Sequence, residues 1–222
     1  MDLHRNPDPG PHQALDWAAR YRAADTPWDL GGPHPELTAW LASAPALAAM
    51  PGTWTLVGGA GRGHDALALA RAGHRVLAVD LVPDLAASLG PALALAGGRF
   101  VVADALGDDF LGRLEQEDWA PTSGGCGFIF EHTFLCALDP RQRGAWARLM
   151  RRLLLPGGRL AALVFPTDKP LDQGGPPHRL ETAHLAALLG AEFHLELDRP
   201  VEHPAPGRQW GERLALFRRE SA

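Results

Sequence analysis

Apolar residues change their spacing along the chain, and this change separates an N-terminal segment from the rest. Residues 1–52 carry helical patterns at 15–21 and 36–50 and no run typical of a strand. From residue 53 onward, short β-prone runs alternate with stretches whose apolar residues recur at helical spacing. This alternation predicts a doubly wound α/β fold with a mostly parallel sheet.

Seven strands and four core helices follow from these patterns. The last two strands have no helix between them, which predicts an antiparallel C-terminal pair in a Rossmann-like seven-stranded sheet. We therefore predict a single domain over residues 1–222, with a helical N-terminal arm at 1–52 and an α/β core at 53–222. The predicted strands cover Thr53 to Val57, Arg75 to Asp80, Arg99 to Ala103, Gly127 to Phe130, Arg159 to Phe165, Glu192 to Leu197 and Glu212 to Phe217, and the predicted helices cover 62–72, 83–89, 139–154 and 181–189.

Composition excludes several functional classes. A formal charge of −5 argues against a nucleic-acid partner, because phosphate binding needs a basic surface. No stretch approaches the roughly 20 apolar residues of a membrane span, and the polar N-terminus lacks a secretion signal, so we expect a cytoplasmic protein. The two cysteines cannot form a disulfide framework, and the ten histidines lack metal-ligand spacing, so we expect no metal.

A glycine-rich turn follows the first predicted strand. Gly59, Gly61 and Gly63 permit positive φ angles and close approach of a ligand to the backbone. Asp80 ends the second strand 21 residues after Gly59, the spacing of an acid that binds ribose hydroxyls. In a dinucleotide fingerprint the third glycine would stand at residue 64, which is His64 here. The spacing therefore favours S-adenosylmethionine (SAM) over a nicotinamide dinucleotide.

Two acidic residues end later strands. Asp104 follows the third strand, where its carboxylate either accepts a hydrogen bond from an adenine amino group or caps a helix. Glu131 ends the fourth strand, where it either faces the sulfonium or pairs with Arg141 or Arg143. Both alternatives stay open for each residue.

Several motifs resemble the thiopurine S-methyltransferase superfamily, and especially its thiol and halide methyltransferases. The resemblance runs from about Trp28 to Phe217. It rests on TPWD at 26–29, VGGAGRGHD at 57–65, FIFEHTFLCALDP at 128–140 and GGPPH at 174–178. Ala60 and Gly58 depart from the family's Cys and Pro, and the segment from Leu81 replaces its usual Ile-Ser, so that no hydroxyl follows the acid.

The resemblance implies a role for further residues. Trp28 would pack against SAM or the acceptor as part of a lid, or else anchor the arm to the core. Asp80 with Leu81 would hold the ribose, and Asp104 with Ala105 the adenine. Residues on the acceptor side would be Trp28, His132, Pro177 and His178, of which His132 replaces the family's Tyr or Arg.

The activity expected from this resemblance is transfer of a methyl group from SAM to a small thiol or related soft nucleophile, by a monomer or homodimer. His132 is the candidate to deprotonate a thiol or to stabilise the thiolate as an imidazolium, with Glu131 beside the sulfonium. An O- or N-acceptor and a non-catalytic SAM-binding protein are the alternatives. Cys136 lies in an apolar run typical of the core.

Overall fold

A computed structural model of the chain describes residues 15–43, 53–116 and 125–221. These residues form a seven-stranded sheet in the order β3-β2-β1-β4-β5-β7-β6. Strands β1 to β5 pair in parallel, whereas β7 pairs antiparallel with both β5 and β6. The predicted α/β class and the antiparallel terminal pair are therefore confirmed. The strands are β1 (Trp54–Gly58), β2 (Val76–Asp80), β3 (Arg99–Val102), β4 (Cys126–His132), β5 (Leu154–Val164), β6 (Phe193–Pro200) and β7 (Arg213–Arg219).

Helices cover both faces of the sheet. One face packs on Phe110, Trp146 and Leu185, and the other on Leu37, Leu69 and Leu89, so each face buries its own hydrophobic cluster. Burial on both faces explains why β1, β2 and β4 are almost continuously apolar. The α-helices are α1 (Trp17–Arg22), α2 (Pro35–Ser43), α3 (His64–Arg71), α4 (Ala86–Leu95), α5 (Phe110–Gln116), α6 (Arg143–Leu153) and α7 (Thr182–Leu189).

The structure differs from the sequence predictions at several element boundaries. Strand β5 begins at Leu154, before the Pro-Gly-Gly run that we expected to precede it, and a register shift between Cys126 and Phe128 accommodates the extra residues. Helix α5 was not predicted, because its seven residues give too short a pattern. The predicted arm helix at 36–50 is described only to Ser43, and its remainder lies outside the described residues.

The arm is tied to the C-terminal hairpin through buried polar groups. Glu36 accepts hydrogen bonds from the Arg199 side chain and from the backbone amides of Glu202 and His203. The His34 imidazole contacts the Glu212 carboxylate at 3.1 Å, and both side chains are buried. These contacts place the arm at one edge of the sheet.

The carboxyl ends of the parallel strands lie at this edge of the sheet. Because β6 runs in the same direction as β5, the loop from 201 to 212 lies there as well. The strand order reverses between β1 and β4, the point at which ligands bind in open α/β sheets. Among the described residues, no helix is both long and apolar enough to cross a membrane.

Candidate active site

A cavity of about 460 Å³ lies along this edge of the sheet. Its size falls within the range of small-molecule sites. Residues at or just after the ends of five strands line it: Gly59, Asp80, Ala103, Thr133 and Phe165. Helix α1 and the loop from 201 to 212 complete the wall.

Gly59 of the glycine turn lines this cavity beside β1, and Ala60 and Gly61 line a neighbouring cavity of about 50 Å³. Gly59 and Gly61 have φ angles of +59° and +53°. A Cβ atom on Gly59 would lie 2.7 Å from the Phe134 ring, and one on Gly61 would lie 2.7 Å from the Tyr21 hydroxyl oxygen. Glycine is therefore required at both positions by conformation and by contact. Ala60 donates its backbone N–H to Val79, which fixes the turn on β2.

Gly63 has a different reason to be glycine. Its φ is +76°, and a Cβ atom there would overlap the side chain of Leu89 on α4. It does not line the cavity. The glycine at position 63 serves the packing of α3 against α4, and its contact with a cofactor stays a prediction.

Asp80 presents a partly buried carboxylate to the cavity. Its two oxygens accept hydrogen bonds from the backbone amides of Gly61 (2.8 Å) and Val82 (3.0 Å). Burial raises the pKa of this carboxyl, and the backbone hydrogen bonds oppose the shift. The neighbouring Leu81 is exposed toward the cavity and lines it.

At the end of β3, Asp104 and Ala105 line the next part of the wall. The Asp104 carboxylate accepts a hydrogen bond from the Leu106 amide at 2.9 Å. This contact closes a local turn rather than capping α5, which begins only at Phe110. The turn leaves Asp104 exposed at the cavity.

These residues fit SAM. A partly buried acid lies at the end of β2, a second acid with a small neighbour at the end of β3, and a turn that admits close backbone approach at the end of β1. The acid at the end of β2 suits the hydroxyls of a ribose, the acid at the end of β3 suits an adenine amino group, and the glycine turn suits an amino-acid chain.

Glu131 lies behind the cavity wall, in contrast to the expectation that it faces the sulfonium. One carboxylate oxygen accepts from the amides of Phe134 (3.0 Å) and Leu135 (2.9 Å), and the other from the Trp146 indole (3.2 Å). Burial raises the pKa of Glu131 to about 7, against these hydrogen bonds. Glu131 therefore fixes the loop after β4, including Phe134.

The alternative in which Glu131 pairs with an arginine of α6 or its approach is also corrected. Arg141 forms its ion pair with the Asp139 carboxylate at 2.8 Å. Arg143 donates to the backbone carbonyl of Arg179 at 3.2 Å. Both carboxylate oxygens of Glu131 are instead engaged by the amides and the indole.

His132 points away from Glu131, since successive strand residues face opposite sides. Its Nδ1 lies 2.6 Å from the Asp65 carboxylate and its Nε2 lies 2.5 Å from Arg208. It lines a neighbouring cavity of about 50 Å³ rather than the main one. Both ring nitrogens of His132 are engaged in this arrangement, which leaves no free lone pair for a thiol and disfavours the predicted role as a base.

An aromatic cluster from the arm covers the other side. The Trp28 indole donates to the Tyr21 hydroxyl at 3.2 Å and stacks edge-on with Trp17 at 5.3 Å. The Arg20 guanidinium lies 4.5 Å from the Trp28 ring centroid. All four side chains line the main cavity, so Trp28 holds the aromatic residues of the arm together and forms part of the wall.

The Gly-Gly-Pro-Pro-His loop contributes through its prolines. Pro176 and Pro177 line the cavity, and the Pro177 carbonyl accepts from buried Lys169 at 2.9 Å. His178 is placed differently from the expectation. Its backbone N–H donates to the Cys136 carbonyl at 2.7 Å and its ring packs on Gly175, outside the cavity lining.

Sequence reasoning missed several wall residues. Thr133 has a positive φ of 62°, an uncommon conformation for a β-branched residue and a known feature of functional sites. Arg208 and Trp210 come from the loop between β6 and β7, which the predicted hairpin already placed at the ligand edge of the sheet. The missed wall residues include Tyr21, Thr133, Phe134, Phe165, Arg208 and Trp210.

Comparison with known proteins identifies the family. The family model described as Thiopurine S-methyltransferase (TPMT) matches residues 12–90 and 110–210. The chain belongs to this family. It is therefore a SAM-dependent methyltransferase, as the glycine turn and Asp80 indicate.

Two curated relatives narrow the position of the chain within the thiopurine S-methyltransferase family. A probable thiol methyltransferase 2 of Arabidopsis thaliana is 32% identical over 174 residues, which cover 78% of this chain and 70% of the relative. Thiocyanate methyltransferase 1 of the same plant is 26% identical over 220 residues, covering 98% and 88%.

Solved structures agree on the fold. The 1,6-didemethyltoxoflavin-N1-methyltransferase of Burkholderia thailandensis, solved with S-adenosylhomocysteine, matches with a TM-score of 0.62 at 24% identity, covering 92% of this chain and 84% of that one. A TehB-like SAM-dependent methyltransferase from Corynebacterium glutamicum matches with a TM-score of 0.59 at 19% identity, covering 92% and 96%. At these identities the likeness shows the fold alone.

The contact between Gly59 and Phe134 yields the first prediction. Gly59→Ala should weaken binding of S-adenosylhomocysteine by at least about tenfold, because the new methyl group displaces the Phe134 ring and strains the turn. Isothermal calorimetry measures this. Gly73→Ala is the matched control, since Gly73 also has a positive φ (+94°) but a methyl group there would meet nothing within 4 Å. Equal losses in both variants would show that backbone strain alone is responsible.

Burial of Glu131 yields the second prediction. An acid whose folded pKa is raised stabilises the fold below its unfolded pKa and loses that contribution as the pH rises through the folded value. The wild-type protein should therefore lose stability relative to Glu131→Gln between about pH 4.5 and about pH 7. Urea unfolding across this range measures it. Glu115→Gln on α5, at an exposed position, should follow the wild type, and a parallel profile for Glu131→Gln would contradict the prediction.

Proposed function

We propose that this methyltransferase acts on a small soft anion, foremost a thiolate or thiocyanate. The observation that supports this most is the chemistry of the wall near β5. Phe165, Pro177 and Trp210 make it apolar, and Arg208 supplies its charge. The other charged lining residues lie at the ends of β2 and β3 and on α1.

For an anionic acceptor, an apolar wall that carries one guanidinium is sufficient for methyl transfer. SAM, when bound, supplies a methyl group already activated by its sulfonium. The chain then has to orient the acceptor and exclude water. A thiol with a pKa of about 8.5 is partly ionised at neutral pH, and a guanidinium favours the thiolate further. Thiocyanate and halides need no base at all.

Acceptors that must lose a proton fit this wall less well. Among the described residues that line the cavity, no histidine or glutamate is present, and the two aspartates lie on the side assigned to SAM. An alcohol or amine would therefore meet no histidine or glutamate among the described residues of the wall near Arg208. The names of the curated relatives, a thiol and a thiocyanate methyltransferase, point to the same acceptor class.

The roles of the site residues follow from their positions. Gly59, Ala60 and Gly61 would receive the amino-acid portion of SAM, Asp80 and Leu81 the ribose, and Asp104 and Ala105 the adenine. Trp28 and Pro177 would enclose the acceptor. The match to the thiopurine S-methyltransferase family argues against a protein that only binds SAM.

The proposal also covers the N-terminal arm and the organisation of the whole chain. Residues 1–222 would form a single domain in which the arm, residues 1–52, closes the site as a lid. Support comes from α1, whose Tyr21 covers the glycine turn. We further propose a cytoplasmic monomer or homodimer without a nucleic-acid partner, in line with its net charge of −5.

An acceptor panel tests the proposal. Purified protein with SAM is offered small thiols, hydrosulfide, thiocyanate, iodide, phenols and amines, and S-adenosylhomocysteine is quantified. Thiols and soft anions should be methylated in preference to phenols and amines. Methylation of amines or phenols alone would overturn the assignment of the acceptor.

Replacing Arg208 tests its contribution to anion binding. Arg208→Met should lower kcat/KM for thiocyanate about ten- to hundredfold through loss of a charge-assisted contact, with little change in the affinity for S-adenosylhomocysteine. Arg152→Met, at an exposed position on α6, is the control. An unchanged kcat/KM in Arg208→Met would remove Arg208 from the acceptor site.

A further inference from the structure

A buried polar cluster connects the acceptor wall to the arm. It consists of Asp65, His132, Arg208, Glu212 and His34, defined here as the histidine–arginine cluster. Arg208 is its centre, since it contacts the Glu212 carboxylate with one nitrogen and His132 with the other. Glu212 also accepts from His34 and from the backbone amide of Ala205.

The hydrogen bonds fix the protonation of both histidines. The Nδ1 atom of His34 accepts from the Glu36 amide at 3.1 Å, so its Nε2 carries the proton and donates to Glu212. At His132, the Nδ1–H donates to Asp65. Its Nε2 faces a guanidinium, which can only donate, and must therefore be the unprotonated acceptor.

The same contacts determine where the Arg208 guanidinium lies. Its carbon is 4.3 Å from the Phe165 ring centroid, its side chain is 9% exposed, and it lines the main cavity. His132 does not line that cavity, so it reaches the acceptor only through Arg208. Arg208 therefore faces the acceptor, and His132 holds Arg208 in place.

Protonation of His132 is incompatible with this arrangement. A second proton on Nε2 would oppose the Arg208 N–H across 2.5 Å, which places two donors and two cations in contact. The groups that face His132 are Asp65 from α3, Arg208 from the 201–212 loop and His34 from the arm. The Asp65 carboxylate attracts an imidazolium and stays bonded to Nδ1, whereas the Arg208 guanidinium is repelled, so Arg208 is the group that must move.

We propose that His132 is a positioning residue whose neutral Nε2 holds Arg208 in the acceptor wall, so that protonation of His132 releases Arg208 and weakens binding of the anion. The acceptor contact of Arg208 rests on the proposed function. The control of Arg208 by His132 does not.

The direction of the pH dependence follows. Burial lowers the pKa of His132, and the Asp65 carboxylate opposes the shift. Anion affinity should therefore be constant through neutral pH and fall only at a pH below the range in which an ordinary histidine titrates. An imidazolium that bound the anion itself would produce the opposite slope.

Anion binding is measured with thiocyanate, which stays charged throughout this range and cannot contribute a titration of its own. Calorimetry on the protein saturated with S-adenosylhomocysteine should show an affinity that is constant near pH 7.5 and falls at least about fivefold once acidification has protonated His132. In His132→Gln an amide oxygen can replace Nε2 as the acceptor, so affinity at pH 7.5 should be rescued and the slope lost. In His132→Leu affinity should fall about tenfold at every pH. His184→Gln, at an exposed position on α7, should keep the wild-type slope.

Nitrogen NMR of the histidines tests the control of Arg208 by His132 in the absence of any acceptor. His132 should be the Nδ1–H tautomer at pH 7.5, and Arg208→Met should raise its pKa by removing a neighbouring cation. A failure of thiocyanate to bind, with these NMR results intact, would overturn the acceptor assignment and leave the positioning role standing. An Nε2–H tautomer, an unchanged pKa in Arg208→Met, or affinity that rises on acidification would overturn the role of His132.

Discussion

Four segments of the chain meet at or behind the Arg208 guanidinium, and the side of the site that we propose for the acceptor depends on that meeting. The 201–212 loop supplies Arg208 and Glu212, β4 supplies His132, α3 supplies Asp65 through His132, and the arm supplies His34. A buried guanidinium is tolerated only when its charge is paired and its donors are bonded. The Glu212 carboxylate meets this requirement: burial raises its pKa, but the His34 hydrogen bond and the Arg208 charge lower it to about 2.

The cofactor side depends instead on local backbone geometry, and for this reason most of it could be predicted from the sequence. A strand, a glycine turn and an acid 21 residues after Gly59 are all signals within one βαβ unit. The antiparallel terminal pair also followed from the succession of patterns. Gly63 is the exception, because the reason for its glycine is a contact with Leu89 on another helix.

The acceptor side was harder to predict, because its contacts join residues far apart in the chain. His132 and Arg208 are separated by 76 positions, and His132 and Asp65 by 67. One error was nevertheless avoidable. Glu131 and His132 are adjacent on β4, so strand alternation directs them to opposite faces, and both could not be expected to face the same reacting atoms. The structure assigns Glu131 to the loop that carries Phe134 and His132 to the histidine–arginine cluster.

This division changes the meaning of the histidine at position 132. Sequence reasoning treated it as a candidate base because it replaces residues that lie near the acceptor in the family. In the structure the His132 Nδ1–H donates to Asp65, and its Nε2 lone pair accepts from Arg208. With histidine at position 132, Arg208 is therefore the one permanent cation among the described residues of this wall, and His132 behind it is a group that can titrate. A soft anion has no need of a base, whereas it does need a cation held in place within an apolar wall. The contact between His132 and Arg208 thus has two consequences: it makes the His132 lone pair unavailable to act as a base, and it holds the Arg208 guanidinium in the wall.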